Sequence, residues 1–171
     1  MIPEILHQGK FLRLCKRERW EFVESCVAHG VVGILAETSG GEYVLIEQIR
    51  PPVNCSVIEL PGGLVGDHGK LEPSLEAAQR ELLEETGWSG GQWRSLGNGA
   101  TSPGLTSEEV ELFHARGVEK LGVGGGVDGE QIRTHLIAIP EIRDWLRARR
   151  EEGALVDFRV LSALWLAEGS A

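Results

Sequence analysis

Gly66-Asp67-His68-Gly69-Lys70-Leu71-Glu72 and, seven residues further on, Arg80-Glu81-Leu82-Leu83-Glu84-Glu85-Thr86-Gly87-Trp88 form the stretch on which the reading of this chain turns. Side chains three and four apart are neighbours on a helix, so Glu81, Glu84 and Glu85 share one face. Like charges so placed cost roughly 0.2–0.5 kcal/mol per pair on an exposed helix, and stability gives no reason to gather them. Carboxylates clustered without Cys or His suit a hard divalent cation, since Mg²⁺ takes one or two carboxylates together with waters and substrate phosphates. The bland alternative is a solvated acidic face with Arg80 paired to Glu76 and Glu84, and from these acids alone both readings stand. Ser74 reads as the N-cap of the helix and Gly87 as its left-handed C-terminal residue.

Working outward, 171 residues fit a single core, enough to bury about 70% of the unfolded chain's surface. The formal net charge of −9, from 17 basic and 26 acidic residues, argues against binding a nucleic-acid backbone, which calls for a basic patch. A phosphate-bearing ligand would then depend on metal ions and individual arginines, not on long-range attraction. Cys15, Cys26 and Cys55 are odd in number and lack metal-ligand or C-x-x-C spacing, which reads as reduced thiols. No apolar run reaches membrane-spanning length and no secretory leader is evident, so the expectation is a cytoplasmic protein with no membrane partner.

Strand patterns occur at 20–27, 31–36, 43–49 and 57–60 before the acidic helix, and at 92–96, 109–116 and 132–139 after it. Ser39-Gly40-Gly41 reads as a hairpin turn, and Arg50-Pro51-Pro52 stops the third strand. Pro61-Gly62-Gly63 permits close approach of backbone to a ligand. Gly122-Val123-Gly124-Gly125-Gly126 is a loop. Helices are expected over 140–152 and after Asp157, which caps Val160, Leu161, Leu164 and Trp165. The whole is α+β, with strands on either side of one central helix. His7, His29, His114 and His135 show no ligand spacing and read as packing or surface residues.

The spacing of Gly66, Glu72, Arg80, Glu81, Glu84, Glu85 and Gly87 matches the signature of the Nudix hydrolases, and several further segments resemble their ADP-ribose pyrophosphatase branch, which also acts on related nucleoside diphosphate sugars. The resemblance implies a mixed sheet sandwiched between helices (α/β/α). It also implies an N-terminal antiparallel strand extension, residues 1–30, that serves dimerisation, ahead of a Nudix domain at 31–171. Gln48-Ile49-Arg50-Pro51-Pro52 and Glu59-Leu60-Pro61-Gly62-Gly63-Leu64 resemble the approach to the motif, implying substrate contact for Arg50 and Glu59 and a metal-ligating carbonyl at Gly62. Ser102-Pro103-Gly104 resembles the segment after the motif, and Pro103 and Gly104 are its substrate-side candidates. Phe11 and Trp20 resemble aromatics that sandwich adenine, one from each subunit of a homodimer. Base stacking of this kind is worth roughly 1–3 kcal/mol and discriminates weakly among bases.

From the same resemblance, Glu81 and Glu85, with Glu84 assisting, are expected to hold Mg²⁺, with Mn²⁺ as the alternative ion. Glu130 is the expected catalytic base and Asp128 its reserve, while Arg80 orients the glutamates and Glu72 holds the motif loop. The expected reaction is hydrolysis of a nucleoside diphosphate linked to another moiety, ADP-ribose to AMP and ribose 5-phosphate being the leading case. A UDP- or GDP-sugar pyrophosphatase, or a non-catalytic ADP-ribose sensor, are the alternatives. One departure stands out: between Gly63 and Glu72 the chain is longer than the common form by three residues, and the surplus around Asp67 and His68 reads as a surface loop extension.

Overall fold

A computed structural model describes residues 2–66, 72–126 and 131–169. The chain begins with three antiparallel strands, β1 (Glu4–Gln8), β2 (Leu12–Arg17) and β3 (Trp20–Ser25), which form a sheet of their own. That sheet is tied to the segment after the acidic helix: the Val23 N–H donates to the Leu105 carbonyl at 2.8 Å, and the Ser107 N–H to the Val23 carbonyl at 3.2 Å.

The second sheet is built from β4 (Gly30–Thr38), β5 (Glu42–Arg50), β6 (Cys55–Glu59), β7 (Leu64–Val65), β8 (Trp88–Ser89), β9 (Gln92–Ala100), β10 (Glu109–Lys120), β11 (Arg133–Ala138) and β12 (Leu155–Val156). Its main path runs β12-β6-β5-β4-β10-β8, with β11 beside β5, β7 beside β4 and β9 beside β10. The β4–β10 and β6–β12 pairs are parallel and the others antiparallel, so the sheet is mixed. The near-continuous apolar run in β4 follows from burial on both faces. Val32, Ile34 and Ala36 face α1 (Ser74–Thr86) together with Phe113 and Ala115, while Leu35 faces α2 (Ile142–Glu151) and α3 (Phe158–Glu168) together with Tyr43 and Leu112. Period-two alternation thus sorts one strand between two cores.

Several expectations need correction. Pro73, not Ser74, holds the N-cap position of α1, in extended backbone and without a side-chain cap. Ser74 is instead the first helical residue. The helix expected over 140–152 divides into a 3₁₀ turn at Ile139–Glu141 and then α2, with Pro140 in the turn. The first expected strand stops at Ser25, whose hydroxyl accepts from the Val27 and Ala28 N–H groups and so offers the backbone a turn. β1, β2, β7, β8 and β12 had no individual strand signal. All three cysteines are free thiols. His114 and His135 are bound to carboxylates, at 3.2 Å to Glu37 and 2.8 Å to Glu47.

Candidate active site

α1 places its acids by packing its other side. Ala77, Ala78 and Leu82 are buried against the sheet, which leaves Glu81 and Glu85 at the edge of the core, 9% and 5% exposed. Opposite them runs Pro61-Gly62-Gly63. The Pro61 and Gly63 carbonyls accept from the Ile34 and Val32 N–H groups of β4 at 2.8 and 2.9 Å. Gly62, between them, turns its N–H toward α1. Its N–H donates to Glu85 Oε2 at 2.8 Å. A side chain at Gly63 would collide with Glu81, whose Cδ lies 2.5 Å from where a Cβ would sit. Glycine here lets a carboxylate lie directly on backbone.

Arg80 ties the cluster together. Its Nη1 donates to Glu81 Oε1 at 2.8 Å and to Glu84 Oε2 at 3.1 Å, and its Nη2 donates to Glu72 Oε1 at 3.0 Å and to the Leu64 carbonyl at 3.2 Å. Burial alone would lower the guanidinium's pKa, but the bonds to Glu72 and Glu81 outweigh it and raise it above the ordinary value. Of the acids expected beside it Glu84 is bound, and Glu72, eight residues back, joins it. Glu72 also accepts from the Gly66 N–H at 3.2 Å, and Gly66 sits at φ 77, where L side chains are strained. Among the described residues no three carboxylate, imidazole or thiolate groups converge on one point. Two nearly buried carboxylates, Glu81 and Glu85, with Glu84 on the same helix face, would suit a hard cation that completes its shell with waters and phosphate oxygens.

The C-terminal end of α1 is closed by the glycine-rich segment, a role its sequence did not reveal. The Gly125 and Gly126 N–H groups donate to the Glu85 and Glu84 carbonyls at 2.7 and 3.1 Å, and Leu121 and Gly122 donate to Gly87. Carbonyls at a helix end lack intrahelical donors, and these bonds supply them. A Cβ on Gly124 would lie 2.3 Å from the Thr86 carbonyl carbon, and one on Gly87 the same distance from the Gly122 oxygen. Bare backbone on both sides is what permits this contact. Residues 127–130, with Asp128 and Glu130, follow directly but lie outside the described residues, as do Asp67 and His68.

Arg50, the last residue of β5, reaches along the sheet to Glu59 at the end of β6: its Nε donates to both Glu59 oxygens, at 2.9 and 3.2 Å. Two residues read only as part of a helix start join them. Arg159 Nη2 reaches Glu59 Oε1 at 3.4 Å, while its Nε donates to Asp157 Oδ2 at 2.8 Å and its backbone N–H to Oδ1 at 2.7 Å. Burial pushes the Asp157 carboxyl up, yet the bonds from Arg159 prevail and hold it below the usual aspartate value. These side chains and Phe158 line a cavity of about 500 Å³. The cap position of Asp157 was the available signal; nothing local marked the long reach of Arg159 to Glu59.

Trp20, Pro103 and Gly104 line one cavity of about 400 Å³ together with Arg17 and Phe22. Phe11 lies elsewhere, in the turn from β1 to β2, where its carbonyl accepts from the Cys26 N–H. A third cavity, of about 880 Å³, lies between the N-terminal sheet, Leu64 and Gly66, and Ser107 and Glu108, within the size range of small-molecule sites.

This combination of helix-borne acids, glycine backbone and mixed sheet has known counterparts. A family model described as NUDIX domain matches residues 27–153, and the chain belongs to the Nudix family. It is 36% identical over 102 residues to a methanol dehydrogenase activator of Bacillus methanolicus, covering 60% of this chain and 54% of that one. To an ADP-ribose pyrophosphatase of Bacillus subtilis it is 36% identical over 89 residues, covering 50% and 45%. The chain therefore spans about half the length of these relatives. A solved structure described as an ADP compounds hydrolase has the same fold, with a TM-score of 0.73 over 99% of this chain and 91% of that one, at 20% identity. No described helix is long and apolar enough to cross a membrane.

Proposed function

We propose that this chain is a divalent-metal-dependent pyrophosphohydrolase that splits a nucleoside diphosphate linked to another moiety, the leading case being ADP-ribose and water to AMP and ribose 5-phosphate. The observation that carries this reading is the seating of two buried glutamates, Glu81 and Glu85, against the bare backbone of Gly62 and Gly63. Buried carboxylates are costly unless paired or bound to a cation, and these two lie against glycine backbone where no side chain intervenes. The similarity to an ADP-ribose pyrophosphatase over half of the chain supports the substrate class.

In this reading Glu81, Glu85, Glu84 and the Gly62 carbonyl would hold Mg²⁺, with Mn²⁺ as the alternative ion. When bound, the ion would neutralise charge on the diphosphate and lower the pKa of a bound water. Arg80 holds the carboxylates of Glu81 and Glu84 in position, and Glu72 fixes the loop through the Gly66 N–H. Arg50 offers its exposed fork to a phosphate, since a guanidinium matches phosphate oxygens bidentately, and Glu59 orients it. Glu130 takes the proton from the water that attacks phosphorus, with Asp128 in reserve. One P–O bond forms, the bridging P–O bond breaks, and the leaving phosphate departs with its oxygen. Trp20, with Pro103 and Gly104 across the same cavity, forms the base-binding wall. Phe11 completes it from a second subunit, through a homodimer joined by residues 1–30 ahead of the Nudix domain at 31–171. The protein works in the cytoplasm.

The test is incubation of the purified protein with Mg²⁺ and ADP-ribose, UDP-glucose, GDP-mannose, diadenosine polyphosphates or NADH, with products identified by mass. AMP with ribose 5-phosphate is the expected result. Preferred cleavage of a UDP- or GDP-sugar would move the assignment to the nucleotide-sugar pyrophosphatases, and tight ADP-ribose binding without any cleavage would make the protein a sensor.

A further inference from the structure

On the sheet face opposite α1, a groove of about 580 Å³ runs between α2 and α3. Its floor is apolar, formed by Ile142, Leu146 and Leu164. Arg143, Arg147 and Arg150 edge it from α2 at spacings of four and three, so they form one row. Leu161 and Trp165 edge it from α3. A large apolar side chain is left in water there: Trp165 is 73% exposed.

The charge at this edge runs against that of the molecule. The whole chain carries −9, yet Glu168 is the acid among the groove's lining residues against three arginines. Arg143 pairs with Glu168 at 3.3 Å and Arg147 with Asp144 at 3.0 Å, but all four side chains are mostly exposed, and such pairs exchange partners at little cost. The arginine row covers seven residue steps, about 10 Å of helix. A cationic row beside an apolar floor and an exposed apolar edge is the complement of a two- to three-turn amphipathic helix whose apolar residues fall at i, i+3 or i+4 and i+7 and whose edge is acidic.

We infer that the α2–α3 groove docks an acidic amphipathic helix of another protein. A second copy of this chain has no such helix to offer among its described residues, because α1 buries its apolar side in the core while α2 and α3 build the groove itself.

The probe is a fluorescent synthetic helix of sixteen residues with leucines at i, i+3 and i+7 and glutamates along the flanking edge, followed by anisotropy. The intact protein binds it, and added salt weakens the complex. The double variant Arg147→Glu/Arg150→Glu loses affinity about tenfold or more and gains affinity for the same helix carrying lysines in place of the glutamates. Trp165→Ala weakens both peptides. If the double variant does not fold by circular dichroism, Arg147→Ala and Arg150→Ala are compared singly. Failure of the intact protein to bind the glutamate helix overturns the inference, as does equal binding of both helices or full displacement by a single-stranded oligonucleotide. Self-association of the protein that Trp165→Ala abolishes would assign the groove to a second copy and overturn it as well.

Discussion

Gly63→Ala separates chemistry from folding at this site. The added Cβ would lie 2.5 Å from Glu81 Cδ and Oε1 and 2.7 Å from Oε2, where ordinary contact begins at 3.4 Å. The carboxylate must retreat by 3.4 − 2.5 = 0.9 Å. Arg80 holds it at 2.8 Å, so a retreat either breaks that bond or drags the guanidinium along. A displacement of about 1 Å in a positioned group costs on the order of 10²-fold in rate, or ~2.7 kcal/mol. The fold should notice little, because Gly63 lies outside the left-handed region and Ala there also lowers the unfolded chain's entropy. Gly62→Ala is the counterpart: its Cβ would sit 2.1 Å from the Val32 carbonyl oxygen, part of a central strand that cannot give way. ADP-ribose turnover against Mg²⁺ concentration, with thermal melting of each variant, reads both outcomes. Gly63→Ala should melt like the parent with kcat reduced about 10²-fold, while Gly62→Ala should melt well below it. Full kcat with an unchanged Mg²⁺ requirement in Gly63→Ala would refute the placement of Glu81 at the reacting centre.

Glu85→Gln keeps an oxygen for the Gly62 N–H, so the variant should fold normally and lose turnover by orders of magnitude; retained activity at saturating Mg²⁺ counts against Glu85 as a ligand. EDTA should abolish activity and Mg²⁺ restore it, and turnover that survives chelation removes the metal from the proposal. Arg159→Ala leaves Asp157 and Glu59 short of a partner and should cost about 1–3 kcal/mol in urea denaturation; a loss under 0.5 kcal/mol would show the pair to be merely superficial. His114 is buried, which holds its pKa below the ordinary 6.5 despite Glu37. The unfolded chain therefore takes up a proton first, and this contribution to stability is complete above about pH 6.5 and lost as pH falls toward the folded-state value. His114→Gln should flatten the stability slope between about pH 7 and 5; an unaltered slope would assign it to other groups.

The acidic helix was legible because its signal is local. Three acids at helical spacing and a terminal glycine can be read within one turn or two, and α1 ends at Gly87 with φ 71. β4 and β5 were legible for the same reason, as apolar runs bounded by turn residues. The short strands β7, β8 and β12 have two residues each and exist through their partners, so no periodicity could mark them. The meeting of Arg159 with Glu59 joins residues a hundred positions apart and depends on β12 lying beside β6. The closing of α1 by Gly125 and Gly126 likewise needed the return of the chain at Lys120, since glycines in a run announce freedom and not what they will touch. The Trp20–Pro103–Gly104 cavity follows from the bonds of Val23 to Leu105 and Ser107, another long-range pairing.

Magnitudes also explain how α1 tolerates its own charge. Two glutamate pairs at helical contact, 81 with 84 and 81 with 85, cost together about 0.4–1 kcal/mol at the exposed-helix rate. Burying Leu82 completely contributes about 1.5–3 kcal/mol in the other direction, before Ala77 and Ala78 are considered. Arg80 bridges Glu81 and Glu84 and so offsets their repulsion, and the glycine-rich segment satisfies the last carbonyls and secures the C-terminal end of the helix. Glu81 and Glu85 meanwhile keep bonds to Arg80 and to the Gly62 N–H. Packing of Leu82, Ala77 and Ala78 thus outweighs the repulsion along the acidic face, and the helix carries two nearly buried carboxylates at a tolerable cost, which is the condition the proposed cation site needs.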